Sequence, residues 1–145
     1  MNMIKIIGLG LWIFILLMSC SSDTPFEADN NPRPDNDLSK FSKIQSEIFT
    51  PTCALSGCHT GSNPQANLNL SAGEAYNALV DINSVQIPSR KRVAPGNSAD
   101  SYLIDKLKGT NMATNTSQMP FGGIPLSDAT IDSIAKWIDS GAPNN

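Results

Sequence analysis

The alternation of apolar and polar positions divides residues 39–145 into four amphipathic segments and one long loop. Apolar residues recur at spacings of three and four in each segment, which is the period of a helix with one buried face. The four predicted helices cover residues 40–49, 72–80, 99–108 and 128–140. The intervening residues 110–126 lack any period, and a loop of that length in a small domain is usually functional or disordered. The pattern predicts a mainly α fold.

Residues at the ends of these segments predict where the helices start and stop. Pro51 is expected to end the first helix, because proline breaks a helix interior. Ser71 and Glu74 have the spacing of a capping box for the second helix. Gly109 lies just past the third helix, and Ser127 is a suitable N-cap for the last one. The apolar positions expected to form the core and pocket are Ile44, Ile48, Leu68, Leu70, Tyr102, Leu107, Ile134 and Ile138.

The N-terminal residues have the pattern of an export signal. Lys5 supplies a positive charge, and residues 6–18 form an almost wholly apolar run that is short for a membrane span. The sequence LMSC, which ends at Cys20, resembles the site cut by the lipoprotein signal peptidase. This resemblance implies that residues 1–19 are a signal peptide and that Cys20 is lipidated. An uncleaved membrane anchor is the alternative, and in both cases the remaining chain is expected to be exported and tethered.

The segment that follows is predicted to be a flexible tether. Residues 20–38 are rich in Asp, Asn, Pro and Ser, and they have too little apolar surface to offset the entropy of ordering. The remaining domain, residues 39–145, carries eight basic and eight acidic residues without a basic stripe, so no nucleic-acid partner is expected. The position after Cys20 is Ser21, whereas an aspartate at that position marks inner-membrane retention in some bacteria. This favours an anchor in the outer membrane, with the domain facing the periplasm or the cell surface.

The cysteines and the histidine carry most of the chemical information. The chain has three cysteines and one histidine, and Cys53, Cys58 and His59 fall within seven residues. Covalent haem attachment needs two thiols that add to the vinyl groups of the porphyrin and an imidazole that binds iron from the same side. The usual spacing is C-x-x-C-H. Here the order is CALSGCH, which keeps the adjacent cysteine and histidine but has four residues between the cysteines.

Three motifs follow one another along the chain. A predicted helix leads into the cysteine segment (IQSEIFTPTCALSGCHTG), a Met-Pro pair follows about 60 residues later (QMPFGG), and a final amphipathic helix comes next (LSDATIDSIAKWIDSGA). Together they resemble class I cytochromes c, especially the cytochrome c-like domains of exported bacterial lipoproteins. The resemblance covers most of residues 41–142. It implies a small helical domain around one covalently attached haem c, with His59 as the proximal and Met119 as the distal iron ligand. It also implies one-electron transfer to redox partner proteins of the cell envelope.

The inventory of possible ligands agrees with this interpretation. One histidine excludes bis-histidine ligation within a single chain, and only Met112 and Met119 offer a thioether outside the signal segment. We favour Met119, because the following proline stiffens the backbone and Phe121 could cover the haem face. A His/Met pair leaves no open iron position, so we expect an electron carrier and not an enzyme. We also expect Arg92 to contact a haem propionate.

Three alternatives stay open at this point. Cys53 and Cys58 could form a disulfide in an oxidising compartment, which would give a haem-free lipoprotein with a role in adhesion or assembly. The same two thiols and His59 could supply three ligands to a zinc ion. Finally, a haem iron that Met119 does not bind would keep an open position, as in a haem sensor or haem enzyme.

Overall fold

In the computed structural model, residues 38–145 are described, and the predicted signal peptide, Cys20 and the tether up to residue 37 lie outside them. The elements in chain order are α1 (Phe41–Ile44), which continues as a π-helix (Gln45–Cys53), then α2 (Ala75–Leu79), α3 (Tyr102–Lys108) and α4 (Asp128–Asp139), with 3₁₀ turns at Gln65–Asn67 and Ser98–Asp100. Within residues 38–145 the β pairing is limited to two isolated bridges. The predicted mainly α class is therefore confirmed. No helix in this part of the chain is long and apolar enough to cross a membrane.

The first helix does not end at Pro51, contrary to the sequence prediction. After Ile44 the chain widens into a π-helix that contains Pro51 and ends at Cys53. A wider turn moves the carbonyl of the preceding turn away from the proline ring, and this carbonyl is what proline clashes with in an α-helix. The helix therefore reaches the cysteine segment without an intervening loop.

The capping box predicted for the second helix is also wrong. The hydroxyl of Ser71 lies 2.6 Å from the hydroxyl of Thr60 and makes no capping contact. The helix begins only at Ala75, after Glu74, whose side chain makes no capping hydrogen bond either. A competing side-chain partner thus removes the cap, and α2 is shorter than predicted.

The ends of the last two helices follow the sequence more closely. Gly109 ends α3 in the left-handed conformation with φ of 74°, as its position after the helix predicts. The first turn predicted for that helix is instead a 3₁₀ turn capped by Asn97, whose side chain accepts the N–H of Asp100. Ser127 caps α4, because its hydroxyl accepts the N–H of Thr130 at 3.2 Å.

The core is built where α1, α2 and α4 meet around aromatic rings. Phe41 lies 5.2 Å from Tyr76, 5.4 Å from Trp137 and 6.2 Å from Phe49, measured between ring centroids. Leu38 is also buried, so the core includes the last residue of the predicted tether. Of the predicted core positions, Ile44, Leu70, Tyr102, Leu107, Ile134 and Ile138 are buried, while Ile48 and Leu68 are partly buried against the same cluster.

Candidate haem-attachment site

Cys53 is the last residue of the π-helix, so the first helix positions the first thiol directly. The N–H of Ala54 donates a 2.7 Å hydrogen bond to the carbonyl of Phe49, which closes the final π-turn. The Cys53 side chain is half-buried and packs against the core cluster. The thiol therefore lies where the end of the helix meets the surface of the core.

The four-residue spacer between the cysteines folds as a tight surface turn. The carbonyl of Leu55 accepts the N–H of Cys58 at 2.9 Å. Gly57 occupies the third position of this turn with φ of 79°, a left-handed conformation that glycine adopts without steric cost. Leu55, Ser56, Gly57 and Cys58 are all exposed. The extra residues thus loop outward, and the chain still returns to the end of the helix.

The turn brings Cys58 and His59 back beside Cys53. The N–H of His59 donates a 3.2 Å hydrogen bond to the carbonyl of Cys53. Both thiols are free. Burial, and then the negative charge of Cys58, raises the pKa of the Cys53 thiol from 9.0 to about 11. The two side chains therefore interact electrostatically. Cys53 stays a neutral thiol, and Cys58 is exposed to solvent.

The segment after the turn fixes the imidazole of His59. Its Nδ1 lies 3.2 Å from the carbonyl oxygen of Leu68, and its own carbonyl accepts the N–H of Leu70 at 2.8 Å. Because a carbonyl only accepts, this contact requires the proton on Nδ1 and leaves the ring lone pair on Nε2. Histidines that bind metals through Nε2 are commonly held by this kind of Nδ1–H contact.

The surroundings of His59 favour the neutral ring. Burial is the largest effect, and it lowers the pKa of His59. Hydrogen bonding to the backbone at Leu68 and Gln65 raises that pKa, whereas the positive charges of Lys106 and Arg92 lower it. The net pKa shift is downward. Neutral imidazole is the form that binds a metal ion.

Met119 is attached to α3 through its backbone. Its N–H donates a 2.8 Å hydrogen bond to the carbonyl of Lys106, and its side chain is half-buried against the core cluster. The Met119–Pro120 peptide bond is cis. Met112 is half-buried in the same loop but is not among the side chains packed on that cluster. Phe121, expected to cover a haem face, has 76% of its surface exposed.

Lys106 interacts with both predicted iron ligands, electrostatically with His59 and through its backbone with Met119. Its ammonium donates a hydrogen bond to the carbonyl of Ser117, and burial lowers the pKa of this lysine. Its charge acts on His59, while its carbonyl holds the backbone of Met119. The same residue of α3 thus influences both predicted ligands, His59 through its charge and Met119 through a backbone hydrogen bond.

Arg92 is nearly buried, with 8% of its surface exposed. Its guanidinium donates hydrogen bonds of 2.6 Å to the carbonyl of Ala78, 2.9 Å to that of Ala66 and 3.2 Å to that of Asn67. These contacts engage part of the five-donor fork of the side chain. The propionate contact predicted for Arg92 stays a prediction.

A surface cavity of about 520 Å³ lies elsewhere, between α3, the long loop and α4. Its lining residues are Leu107, Lys108, Gln118, Pro125, Leu126, Asp128, Ile131 and Asp132. None of the predicted site residues lines it, although Gln118 precedes Met119. The fit of a haem to this chain therefore depends on the donor set at the end of the π-helix. Those donors suit the group: two free thiols in one neighbourhood and an imidazole with its lone pair on Nε2.

Sequence reasoning missed the roles of two residues at this site. Leu68 was expected only as an apolar core or pocket residue, and its backbone carbonyl, which every residue type possesses, carries no sequence signal for holding His59. Lys106 is buried, although lysine is almost never fully buried unless it is paired. The available signal was the position of Lys106, which lies among the regularly spaced apolar residues of a short helix and is therefore expected to be buried.

Among residues 38–145, no group of three or more His, Cys, Asp or Glu side chains converges as a metal site, so the structure offers no support for the zinc alternative.

Comparisons with protein-family models, with curated proteins and with solved structures each gave no significant match.

Proposed function

We propose that this chain is a haem c-binding electron-transfer lipoprotein of the bacterial cell envelope, with a class I cytochrome c-like domain. Cys53 and Cys58 would hold one haem through thioether bonds, and His59 and Met119 would bind its iron. The observation that carries the proposal is the arrangement at the end of the π-helix. Two free thiols and an imidazole anchored through Nδ1 lie there on one turn of chain, which the His59 N–H closes onto the Cys53 carbonyl, in the order that the sequence motif requires.

The chemistry assigned to each residue is simple. When bound, the haem supplies an iron that gains and loses one electron. In attachment, the S–H of each cysteine would add across a vinyl double bond: the S–H bond and the C=C π bond would break, one C–S and one C–H bond would form, and no external oxidant would be needed. His59 presents Nε2 because Leu68 holds Nδ1–H, and Lys106 fixes the backbone of Met119. With His59 and Met119 both holding the iron, the domain would be a carrier without a substrate site.

The N-terminal pattern completes the proposal. An anchor at Cys20 would tether the domain to the membrane, most simply the outer membrane, through the polar segment that follows. Its partners would then be redox proteins of the envelope that meet it at close range. Such transfer is suited to a small module whose iron keeps its ligands in both oxidation states.

The test is expression of the full-length chain together with haem c maturation machinery. We expect a coloured protein whose intact mass includes one haem and whose pyridine haemochrome spectrum is that of a c-type haem. Cys53→Ala and Cys58→Ala should each leave at most one thioether bond, and the double variant should release haem on denaturation. Cys20→Ala is the matched control, since it should lose the lipid and keep the haem.

Three outcomes would contradict this proposal in different ways. A colourless protein with the bare polypeptide mass excludes the cytochrome. A disulfide between Cys53 and Cys58 in the matured protein supports the haem-free lipoprotein instead. Rapid, complete binding of carbon monoxide to the reduced protein indicates an open iron position and hence a sensor or enzyme.

A further inference from the structure

Arg92 makes an unusual set of contacts for an arginine that is almost fully buried. Its three hydrogen bonds all go to backbone carbonyls. None of the ion pairs found within residues 38–145 includes it. A buried guanidinium needs compensation for lost hydration, and here carbonyl dipoles provide it. The fork therefore joins two separate stretches of backbone.

One of these stretches is held in a conformation that needs support. Ala66 and Asn67 have φ of 54° and 51°, the left-handed region that costs most residues about 1–2 kcal/mol each. Asparagine tolerates this region, but alanine does not favour it. The carbonyls of both residues point to the same guanidinium nitrogen of Arg92. The other stretch is α2, through the carbonyl of Ala78.

The strained pair is followed at once by the residue that holds the histidine. Leu68 is next in the chain, and its carbonyl lies 3.2 Å from Nδ1 of His59. A shift of the Ala66–Asn67 backbone would therefore move this acceptor. Contacts of this kind fix the ring orientation of a ligating histidine.

We infer that Arg92 is a positioning residue for His59: it ties the left-handed turn at Ala66 and Asn67 to α2 and so holds the Leu68 carbonyl against Nδ1–H. The role of His59 as iron ligand rests on the function proposed above, whereas the series of contacts that leads from Arg92 through the Ala66–Leu68 backbone to His59 belongs to the polypeptide itself. Arg92 would thus act on the haem through the proximal ligand, and this role is independent of the propionate contact predicted for the same residue.

The experiment compares Arg92→Gln and Arg92→Lys with Arg90→Gln in the full-length, haem-loaded protein. Arg90 is the matched control: it is a half-buried arginine that pairs with Asp100 and Asp105 and lies over the ring of Tyr102. None of its ion pairs, side-chain hydrogen bonds or ring contacts reaches the Ala66–Leu68 segment. The measurement is hydrogen exchange of the His59 Nδ1–H by NMR, together with the reduction potential.

We expect Arg92→Gln to speed Nδ1–H exchange about tenfold, which corresponds to one hydrogen bond. The potential is compared in Arg92→Lys, which keeps the positive charge, and it should rise there because the imidazole becomes a weaker donor. Arg92→Lys keeps the charge but loses the fork, so its exchange should lie between wild type and Arg92→Gln. Arg90→Gln should lower the thermal midpoint and leave the exchange rate unchanged.

Several results would overturn the inference. Unchanged exchange in Arg92→Gln, with only a lower thermal midpoint, would reduce Arg92 to a structural residue. Full rescue by lysine would mean that charge alone matters. Rapid exchange of Nδ1–H in the wild type would refute it even if no variant folds. If the chain takes up no haem, imidazole ¹⁵N shifts of the haem-free chain still report whether Arg92 holds the Nδ1–H tautomer, so the two proposals fail separately.

Discussion

The backbone N–H of Met119 donates a 2.8 Å hydrogen bond to the carbonyl of Lys106, the residue whose charge also acts on His59. This contact joins the middle of the long, irregular loop to α3 (Tyr102–Lys108). The two methionines of that loop differ in packing: Met119 packs on the core cluster, and Met112 is not part of that packing. The loop is therefore anchored at the residue that the sequence favoured as distal ligand.

The first prediction distinguishes the two methionines. Met119→Leu keeps the side-chain volume and removes the sulfur, so we expect the reduction potential to fall by roughly 0.1 V or more, within the range of about 0.8 V that axial ligands span. The reduced variant should also bind carbon monoxide. Met112→Leu is the control and should change neither property. A larger effect from Met112→Leu would assign the distal position to Met112.

The second prediction concerns alkaline pH and the haem-free, reduced chain. The pKa of Cys53 is about 11 in the folded chain, against 9.0 without its surroundings. Between these values the unfolded chain releases a proton that the folded chain keeps, so stability falls as pH rises. For a half-buried group we expect a loss of about 2 kcal/mol. Urea unfolding at pH 8 and at pH 11 measures it.

Cys53→Ala is the control for this pH dependence. It removes the thiol, so its stability should fall less than that of the wild type over the same pH interval. Haem-loaded protein should behave like the variant, since a thioether does not titrate. Equal pH dependence in wild type and variant would show that Cys53 is not desolvated as the structure indicates.

The sequence predicted those parts of the fold that depend on local signals. The apolar stripe and Ser127 predicted α4 (Asp128–Asp139) closely, because capping and periodicity act within a single helix. The prediction of a capping box at Ser71 was wrong, because the Ser71 hydroxyl is hydrogen-bonded to the hydroxyl of Thr60. That contact depends on the tertiary fold. The π-helix through Pro51 likewise had no local signal.

The candidate site divides in the same way. Adjacent chemistry at Cys53, Cys58 and His59 could be predicted because it is a motif in the chain. The acceptor at Leu68 could not, because a backbone carbonyl carries no residue identity. The contacts of Arg92 also depend on the left-handed turn at Ala66, and an alanine does not predict a left-handed turn.

The third prediction tests the aromatic core. Trp137 is fully buried, its Nε1 donates a 2.9 Å hydrogen bond to the carbonyl of Pro143, and its ring packs on Phe41. Trp137→Ala should lower the free energy of unfolding by about 3–5 kcal/mol. Trp137→Phe keeps most of the ring and should cost about 1–3 kcal/mol, including the unpaired carbonyl.

Urea denaturation of the full-length protein measures both losses. Phe121→Ala is the matched control, since 76% of the Phe121 surface is exposed and such changes usually stay within about 0.5 kcal/mol. A similar loss from Phe121→Ala would mean that this ring is covered by other parts of the protein in solution.

The last prediction concerns the strained backbone beside Arg92. Ala66 has φ of 54°, where glycine is unstrained, so Ala66→Gly should relieve about 1–2 kcal/mol of strain. Glycine also makes the unfolded chain more flexible, which costs about 0.5–1 kcal/mol. We therefore expect a net stabilisation of about 0.5–1 kcal/mol by urea denaturation. The same substitution in a helix, Ala135→Gly in α4, should instead destabilise the protein by about 1 kcal/mol. If both substitutions destabilise equally, then the turn at Ala66 is not left-handed in solution, and Arg92 has no strained backbone to hold.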